Sequence, residues 1–506
     1  MMYKLYNYYI FMFLFCVCAY VSYRKKRNNL MNTTIEKAIV AFLIFSMGLG
    51  CSIIIWWIPV SLTGELIRVG IGVILSIFIG WNSIVIANGG IVLCKKIISN
   101  DFLKQFGYGS AIFVLWMIQL IIQLPEKIIE WVECWYAADY SMGIGSRFFI
   151  GTVLSLFYDD YLDAKVVYRF CMITVVLVIA LCSFMLGKLL NDTKYKVAVA
   201  FLVACFWACP ASLASYWMED NIGRLEFYTL FVALLSVLIF LNCKKRWMKY
   251  SLLCVSVIIS NAIYQGYVFL YFPLIFIILI CEIYKSEYKK SEVIGAGVVF
   301  FCACASFLFF QLGSSINYET QEAFEMAIRE KSNLRISSEA IKYEMFMSIP
   351  EVFEKVNVPF ALGDRFPREM SAITVLIFAP IAVIGIAIYM KCFEQHKMKK
   401  QHCLKNPYLW AVVCQLAILP QFLLNVDWGR WFIAVVIVFF FGVFYMLYVD
   451  MEEMHVAIAA LDRFVKKNYF LAVGVVLYLS LFAKLTDQGM RTQIVFIIKN
   501  ITRLIS

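Results

Sequence analysis

Charged residues are scarce in this chain of 506 residues, since Asp, Glu, Lys and Arg make up only 16% of it and apolar residues make up 63%. A soluble protein of this length could not bury so much apolar surface, because single hydrophobic cores stop growing with chain length. So apolar a composition also excludes a disordered chain. With a mean hydropathy of +0.80, the composition predicts a protein that crosses a membrane many times.

Several functional signatures are also missing. The chain has only 3 histidines and contains no C-x-x-C pair, no P-loop and no G-x-G-x-x-G beside a strand. Its net charge is +11, but the basic residues form short clusters between apolar runs, which is typical of membrane orientation rather than of nucleic-acid binding. Most of the 17 cysteines lie in or beside apolar runs, so we expect neither a disulfide framework nor a zinc site on the outer face.

The apolar runs predict the fold class. About 20 apolar residues cross a bilayer as a helix, and the chain contains fourteen runs of roughly this kind. The sequence therefore predicts an all-α, polytopic transmembrane helix bundle of about 14 spans, in which Tyr264-Gln265-Gly266 separates the eighth run from the ninth. The runs are 6–22, 38–60, 69–94, 109–124, 168–187, 197–216, 227–243, 250–265, 267–284, 293–312, 371–390, 408–424, 431–449 and 468–484.

The connections between these runs predict their orientation. Seven connections carry three to five lysines and arginines each, and all of them fall on the same side of the predicted bundle. Since basic loops stay on the cytoplasmic side, we expect a multi-pass protein of the cell membrane with both termini outside. The seven connections are 23–37, 95–108, 188–196, 244–249, 285–292, 391–407 and 450–467.

The long polar connection 313–370 divides the chain into regions. Its pattern predicts helices over Tyr318–Lys331 and Ser337–Met347 that lie across the outer mouth of the bundle. The tail 488–506 is amphipathic and predicts one more interfacial helix. The predicted regions are 1–108, N-terminal spans; 109–312, a catalytic membrane core; 313–370, an extracytoplasmic helical loop; and 371–506, C-terminal spans with the tail helix.

The first outer loop, 125–167, concentrates residues that could perform chemistry. Asp139 could accept a proton from an attacking hydroxyl, and Arg147 could hold a phosphate through two parallel hydrogen bonds. Trp135 and Tyr140 belong to an aromatic surround that could stack on a sugar. The alternative is an aromatic belt at the membrane interface with a structural Asp–Arg pair.

Two further outer turns carry charges near apolar runs. In the turn 217–226, Glu219 and Asp220 could hold a divalent cation or the leaving group, and Arg224 could bind phosphate, although a solvated hairpin explains these residues equally well. In the second turn, Asp427 and Arg430 flank a Trp-Gly pair. An arginine on the outer side runs against the orientation bias, so we expect Arg430 to bind phosphate or to pair with Asp427.

This layout resembles the multi-span GT-C glycosyltransferases, which use polyprenyl-phosphate sugars on the outer face of the membrane. The resemblance implies that Asp139 matches their first-loop carboxylate, that Glu219 with Asp220 matches their second acidic cluster, and that 146–156 matches their juxtamembrane helix. Asp139 with 146–151, together with 427–430, also resembles uncharacterised bacterial membrane proteins associated with surface-polysaccharide synthesis.

The function predicted from these observations is transfer of a sugar from a polyprenyl-phosphate donor to a lipid-linked or cell-surface glycan. Arg147, Arg224 and Arg430 would neutralise the phosphate as the sugar leaves, and Asp139 would act as base or electrostatic stabiliser. A flippase or transporter for lipid-linked sugars is an alternative, but it predicts ionisable residues deep in the spans and internal repeats, which the sequence lacks. A polysaccharide polymerase or ligase is not separated from a glycosyltransferase by sequence.

Overall fold

The computed structural model describes residues 101–122, 125, 127–157, 161–218, 221–357, 365–398, 405–424, 427–482 and 484–485. Contacts divide the chain into two units, Met1–Gly107 with Asn500–Ser506 and Tyr108–Lys499. The predicted spans 6–22, 38–60 and 69–94 and the tail 488–506 lie outside the described residues. The architecture below is that of the second unit.

The described residues are mostly α-helical. The longest helices contain stretches rich in Leu, Ile, Val, Phe and Ala, and a helix that is apolar on all sides is typical of a membrane span. Helices of seven or more residues are Asp101–Ile122, Phe149–Ser155, Ala164–Asp192, Lys196–Ala208, Leu225–Asn242, Arg246–Ile263, Phe272–Lys285, Lys290–Leu312, Gln321–Lys331, Arg365–Met398, Pro407–Val413, Trp428–Tyr448, Glu452–Lys467 and Tyr469–Ser480.

Shorter elements join these helices, mainly in the two long loops. The only described sheet has two strands of two residues each, Gly143–Ile144 and Ser315–Ile316. The short α-helices are Glu130–Glu133, Tyr267–Leu270, Ser338–Ile341, Ile349–Val352 and Leu419–Leu424, the 3₁₀ turns are Cys134–Tyr136, Tyr140–Met142, Ser146–Phe148, Leu213–Trp217 and Cys414–Ile418, and the π-helical turns are Lys342–Phe346 and Phe353–Asn357.

The helices identify a membrane protein. Within the described ranges, 6 helical segments are long and apolar enough to cross a membrane, and three shorter apolar helices accompany them. Large apolar side chains such as Phe301 (70% exposed) and Phe470 (80%) point away from the bundle, as expected for a surface that faces lipid. A helical membrane bundle is therefore confirmed, whereas the predicted number of about 14 spans is not. The six segments are Ala164–Asp192, Lys196–Trp217, Leu225–Asn242, Lys290–Leu312, Phe378–Lys397 and Trp428–Tyr448.

The helix Trp428–Tyr448 lies at the centre of the bundle. In the most apolar 18-residue stretch of this helix, 83% is buried inside the protein, compared with 28% in the corresponding stretch of Lys290–Leu312. Close helix contact elsewhere depends on small residues, since a Cβ built on Gly187 would lie 2.5 Å from the Cα of Gly109. Such glycine contacts let two membrane helices pack backbone to backbone.

The predicted basic connections within the described ranges gather at one end of the bundle. Tyr288 Oη donates a hydrogen bond of 2.7 Å to the Lys405 carbonyl, and Lys285 Nζ donates to the Val449 carbonyl. The rings of Tyr195 and His455 lie 5.8 Å apart. These contacts join connections that are far apart in sequence. The helices Ala164–Asp192 and Lys290–Leu312 lead from these connections to the two long loops, so the long loops lie at the opposite end of the bundle.

Candidate functional site

Arg430 connects the starting points of two membrane helices. It lies in the first turn of Trp428–Tyr448, and its Nη1 donates to Glu226, in the first turn of Leu225–Asn242. Its Nη2 donates to Asp427, the residue before its own helix. Arg430 is 7% exposed and Glu226 is 2% exposed. Carboxylates are stabilised at helix N-termini by the helix dipole, so this position suits both acidic residues.

Arg147 belongs to the 3₁₀ turn Ser146–Phe148 in the first long loop, and it is also buried. Its Nη2 lies 2.7 Å from Oε1 of Glu344. The guanidinium carbon is 5.6 Å from the ring centre of Trp135 and 4.9 Å from that of Tyr264, distances at which a cation is attracted to an aromatic face. Its Nε is buried and has no hydrogen-bond acceptor among the described residues.

The three predicted arginines form one group, which we call the arginine cluster: Arg147, Arg224 and Arg430 with the carboxylates of Asp427 and Glu226. Burial alone would raise the pKa of the Asp427 carboxyl. The positive charges of Arg430, Arg224 and Arg147 nevertheless hold that pKa below its ordinary value. Arg147 in turn interacts electrostatically with both Glu226 and Arg430. Charges from loops separated by about 280 residues of chain thus share one buried region.

The wall of the cluster is rich in tyrosine. The chain leaves the helical conformation at Tyr264, whose backbone is extended (φ −160°, ψ 113°), so the predicted break is found there. Next to it, the side-chain oxygen of Gln265 accepts a hydrogen bond from Ser146 Oγ. The hydroxyls of Tyr216 and Tyr271 are hydrogen bonded to each other, and Tyr216 interacts electrostatically with Glu226 and Arg430. Hydroxyl and amide groups therefore adjoin the charges.

Asp139 has partners outside the arginine cluster. Its Oδ2 accepts from Lys331 Nζ at 2.8 Å, and its Oδ1 accepts from the backbone N–H of Ser141 at 2.8 Å. Burial would raise the pKa of Asp139, but the hydrogen bonds from Lys331 and Ser141 and the charge of Lys331 hold it below 3.8, its ordinary value. The neighbouring Tyr140 is half-buried, and its backbone N–H donates to Thr152.

The segment 313–357, which we call the cover segment, packs on the first long loop. Arg335 donates to the buried carboxylate of Glu133 at 2.6 Å, measured from Nη2 to Oε2. The strand Ser315–Ile316 pairs antiparallel with Gly143–Ile144, and Leu162 bridges to Ser332. The predicted helices of this loop are confirmed in Gln321–Lys331 and in 338–346. The two loops therefore form one layer at this end of the bundle.

The predicted site residues divide into three groups. Arg147, Arg224, Asp427 and Arg430 meet in the arginine cluster, with Trp135 fully buried against Arg147. Asp139 and Tyr140 lie in the same loop but pair elsewhere. Glu219 and Asp220 lie outside the described residues, so the metal site predicted there stays a prediction. Among the described residues, no group of three or more His, Cys, Asp or Glu side chains is arranged to hold a metal ion.

Three carboxylates in this region were not among the predicted site residues. Glu226 lies two residues after Arg224 and immediately before an apolar run. An ionisable residue in this position indicates a functional or paired charge at the end of a membrane helix, so the sequence alone could have identified it. Glu344 and Glu133 are ordinary acidic residues of polar loops in the sequence. No local pattern separates them from solvated neighbours, because their partners Arg147 and Arg335 are about 200 residues away.

Comparison with known proteins adds no relative: no protein-family model, no curated protein and no solved structure matches the chain. The class of the protein is therefore defined by its own structure, as a helical membrane protein with a buried ionic cluster at one end of its bundle.

Proposed function

We propose that the chain is a membrane glycosyltransferase that moves a sugar from a polyprenyl-phosphate donor to a lipid-linked or cell-surface glycan in the cell membrane. The observation that carries this proposal is the buried Arg430, which pairs with Asp427 and Glu226 where two apolar helices start. The charges of Arg224 and Arg147 act on the same Asp427 carboxyl. A lipid-linked phosphate sits at this depth, since its tail lies among apolar helices and its charge at the interface. Buried arginines are costly unless a counter-charge meets them.

The chemistry of the cluster fits a phosphate ester. Guanidinium groups bind phosphate oxygens through paired hydrogen bonds, and they keep their charge even when buried. In glycosyl transfer the oxygen of an acceptor hydroxyl bonds to the anomeric carbon and its proton is released to water. The bond from that carbon to the phosphate oxygen breaks, and the prenyl phosphate leaves with one more negative charge. Fixed positive charges near that oxygen stabilise the transition state. Tyr264 and Gln265 add groups that could bond to sugar hydroxyls.

Asp139 keeps a proposed catalytic role, and its surroundings favour one of the two predicted versions. A general base works best with a pKa near the working pH, whereas Lys331 and Ser141 hold the pKa of Asp139 below 3.8. We therefore propose an electrostatic stabiliser rather than a base. Glu219 and Asp220 remain the proposed ligands of a divalent cation or of the acceptor, and we assign them no step in the reaction.

The test is sugar transfer by the purified protein in lipid nanodiscs, with a labelled polyprenyl-phosphate sugar and extracted membrane glycan as acceptor. Arg430→Lys retains a charge but loses the planar fork of the guanidinium, and we expect transfer to fall roughly 10²-fold. Arg329→Lys is the matched control, because Arg329 is exposed on the helix Gln321–Lys331 of the cover segment. Equal transfer by both variants would remove the arginine cluster from the reaction.

Two further results separate this proposal from the alternatives. Asp139→Asn should abolish transfer while the protein remains inserted in the membrane, and full activity of that variant would remove Asp139 from the site. Labelled lipid that crosses the bilayer of proteoliposomes with its sugar–phosphate bond intact would instead indicate a flippase. A ladder of products that grows in repeating units would indicate a polymerase.

A further inference from the structure

Arg147 and Arg430 hold their counter-charges in different ways. The partners of Arg430 lie at the start of membrane helices, where Glu226 is packed into the bundle with a side chain only 3% exposed. The partner of Arg147 is Glu344, which comes from the cover segment and has a side chain that is 28% exposed. One counter-charge is thus built into the bundle, and the other is carried by a surface loop.

The turn around Glu344 is only partly buried. The residue lies in the π-helical turn Lys342–Phe346, which contains no buried residue, and single π-helical turns are rare and frequent at functional sites. The preceding residue Ile341 is fully buried. The salt bridges that hold the cover segment to the first loop, through Lys331 and Arg335, precede this turn, and the turn itself contacts that loop through Tyr343, whose ring centre lies 6.0 Å from that of Trp131. The salt bridges of Lys331 and Arg335 do not involve Glu344, so its side chain can leave Arg147 while they stay in place.

Arg147 also has unused capacity for an anion. Within the described residues Glu344 is its one carboxylate partner, and it engages Nη2 alone. The Nε donor is buried without an acceptor. A carboxylate on one nitrogen leaves the paired-donor edge of the guanidinium incompletely used, whereas the two non-bridging oxygens of a phosphodiester can bond to two nitrogens at once.

We propose that Glu344 occupies the place of the donor phosphate on Arg147 in the substrate-free protein, and that a polyprenyl phosphate displaces Glu344 and loosens the turn Lys342–Phe346. This inference rests on the proposed function, because it takes the anionic lipid from it. The loop carboxylate shields the buried arginine until substrate arrives, and it competes with weaker anions for the same nitrogen atoms.

The first test measures binding of farnesyl phosphate to the full-length protein in detergent by titration calorimetry. Removal of the competing carboxylate in Glu344→Gln should tighten binding about three- to tenfold. Glu351→Gln is the matched control, because Glu351 is an exposed glutamate of the same segment that pairs with Lys355. Farnesol and inorganic phosphate are titrated beside it, so that a lipid tail or free phosphate alone is distinguished from the lipid phosphate.

The second test does not depend on a variant that must fold. Hydrogen exchange of the wild-type protein should become faster in peptides covering 342–346 when farnesyl phosphate is added, while peptides from the helix Gln321–Lys331 exchange as before. Unchanged or slower exchange at 342–346 would overturn the proposal. The proposal would also be overturned if the wild type binds farnesyl phosphate and Glu344→Gln binds it with equal or lower affinity.

The outcomes also separate this inference from the proposed function. If Glu344→Gln binds farnesyl phosphate more tightly but neither protein transfers a sugar, the displacement of Glu344 stands and glycosyl transfer fails. If sugar transfer occurs with the wild type and Glu344→Gln shows no gain in affinity, glycosyl transfer stands and the displacement fails. If neither protein binds the lipid phosphate, both proposals are wrong.

Discussion

Replacement of Arg430 by glutamine tests whether the arginine cluster is as buried and as mutually dependent as its geometry indicates. The change leaves the carboxylate of Glu226, with a side chain 3% exposed, without the guanidinium that it bonds to. Loss of one member of a buried ion pair destabilises a protein by about 3–5 kcal/mol. The second partner, Asp427, is 27% exposed and can be partly solvated, so we expect the lower end, about 3 kcal/mol, or roughly a hundredfold in the unfolding equilibrium.

The assay is unfolding of the purified protein by titration of detergent micelles with dodecyl sulfate. The double variant Arg430→Gln, Glu226→Gln removes the stranded charge as well and should recover about 1–2 kcal/mol, because residues in one network do not act additively. Arg329→Gln, on an exposed position, should change the free energy of unfolding by about 0.5 kcal/mol or less. A loss in Arg430→Gln no larger than in Arg329→Gln would refute the reasoning.

Two further predictions use the same assay. Gly187→Ala would place a Cβ 2.5 Å from the Cα of Gly109 and should destabilise the protein by about 1–3 kcal/mol. Gly297→Ala is the control: no atom lies within 4 Å of its Cβ, so the change should be neutral or stabilising by up to about 1 kcal/mol. Equal effects of the two variants would contradict the close helix contact. Because the pKa of Asp139 is lowered, its pair with Lys331 stabilises the fold above pH 3.8, the ordinary value, and this stabilisation is lost as the pH falls through the lowered pKa. In Asp139→Asn the free energy of unfolding should no longer show this loss at acid pH. If the free energy of unfolding of the variant depends on pH as that of the wild type does, the pair contributes nothing.

The helices of the fold were predictable because their signal is local. Each of the eleven predicted spans between 109 and 484 overlaps helix among the described residues, although only six described segments are long and apolar enough to cross a membrane, and the predicted break falls at Tyr264. Amphipathic periodicity likewise located the helix Gln321–Lys331 in the long loop. Span length was less predictable, since Phe272–Lys285 has only 14 residues and the sequence alone cannot show where an apolar helix bends or stops.

The candidate site was predictable in its cations and in Asp427, which lies three residues before Arg430. An arginine at the outer end of an apolar run is anomalous in sequence, so Arg224 and Arg430 could be recognised without a structure. Glu344 could not be recognised as the partner of Arg147, since an acidic residue in a polar loop has no local signature. Asp139 illustrates the same limit: the sequence predicts a base or stabiliser at this site, but it cannot show that Asp139 pairs with Lys331, which is 192 residues away.

The arginine cluster therefore combines two different tasks in residues that look alike in sequence. Arg430 binds two carboxylates at helix starts, so its substitution should reduce both stability and phosphate binding. Glu344 meets Arg147 from an exposed turn, and partly exposed ion pairs contribute little to stability. Its substitution should therefore change phosphate affinity while the free energy of unfolding stays within about 1 kcal/mol of the wild type. If the cluster served only to hold the helices together, Arg430→Gln would lower the free energy of unfolding, but the wild-type protein would not bind the lipid phosphate, and neither substitution could change that binding.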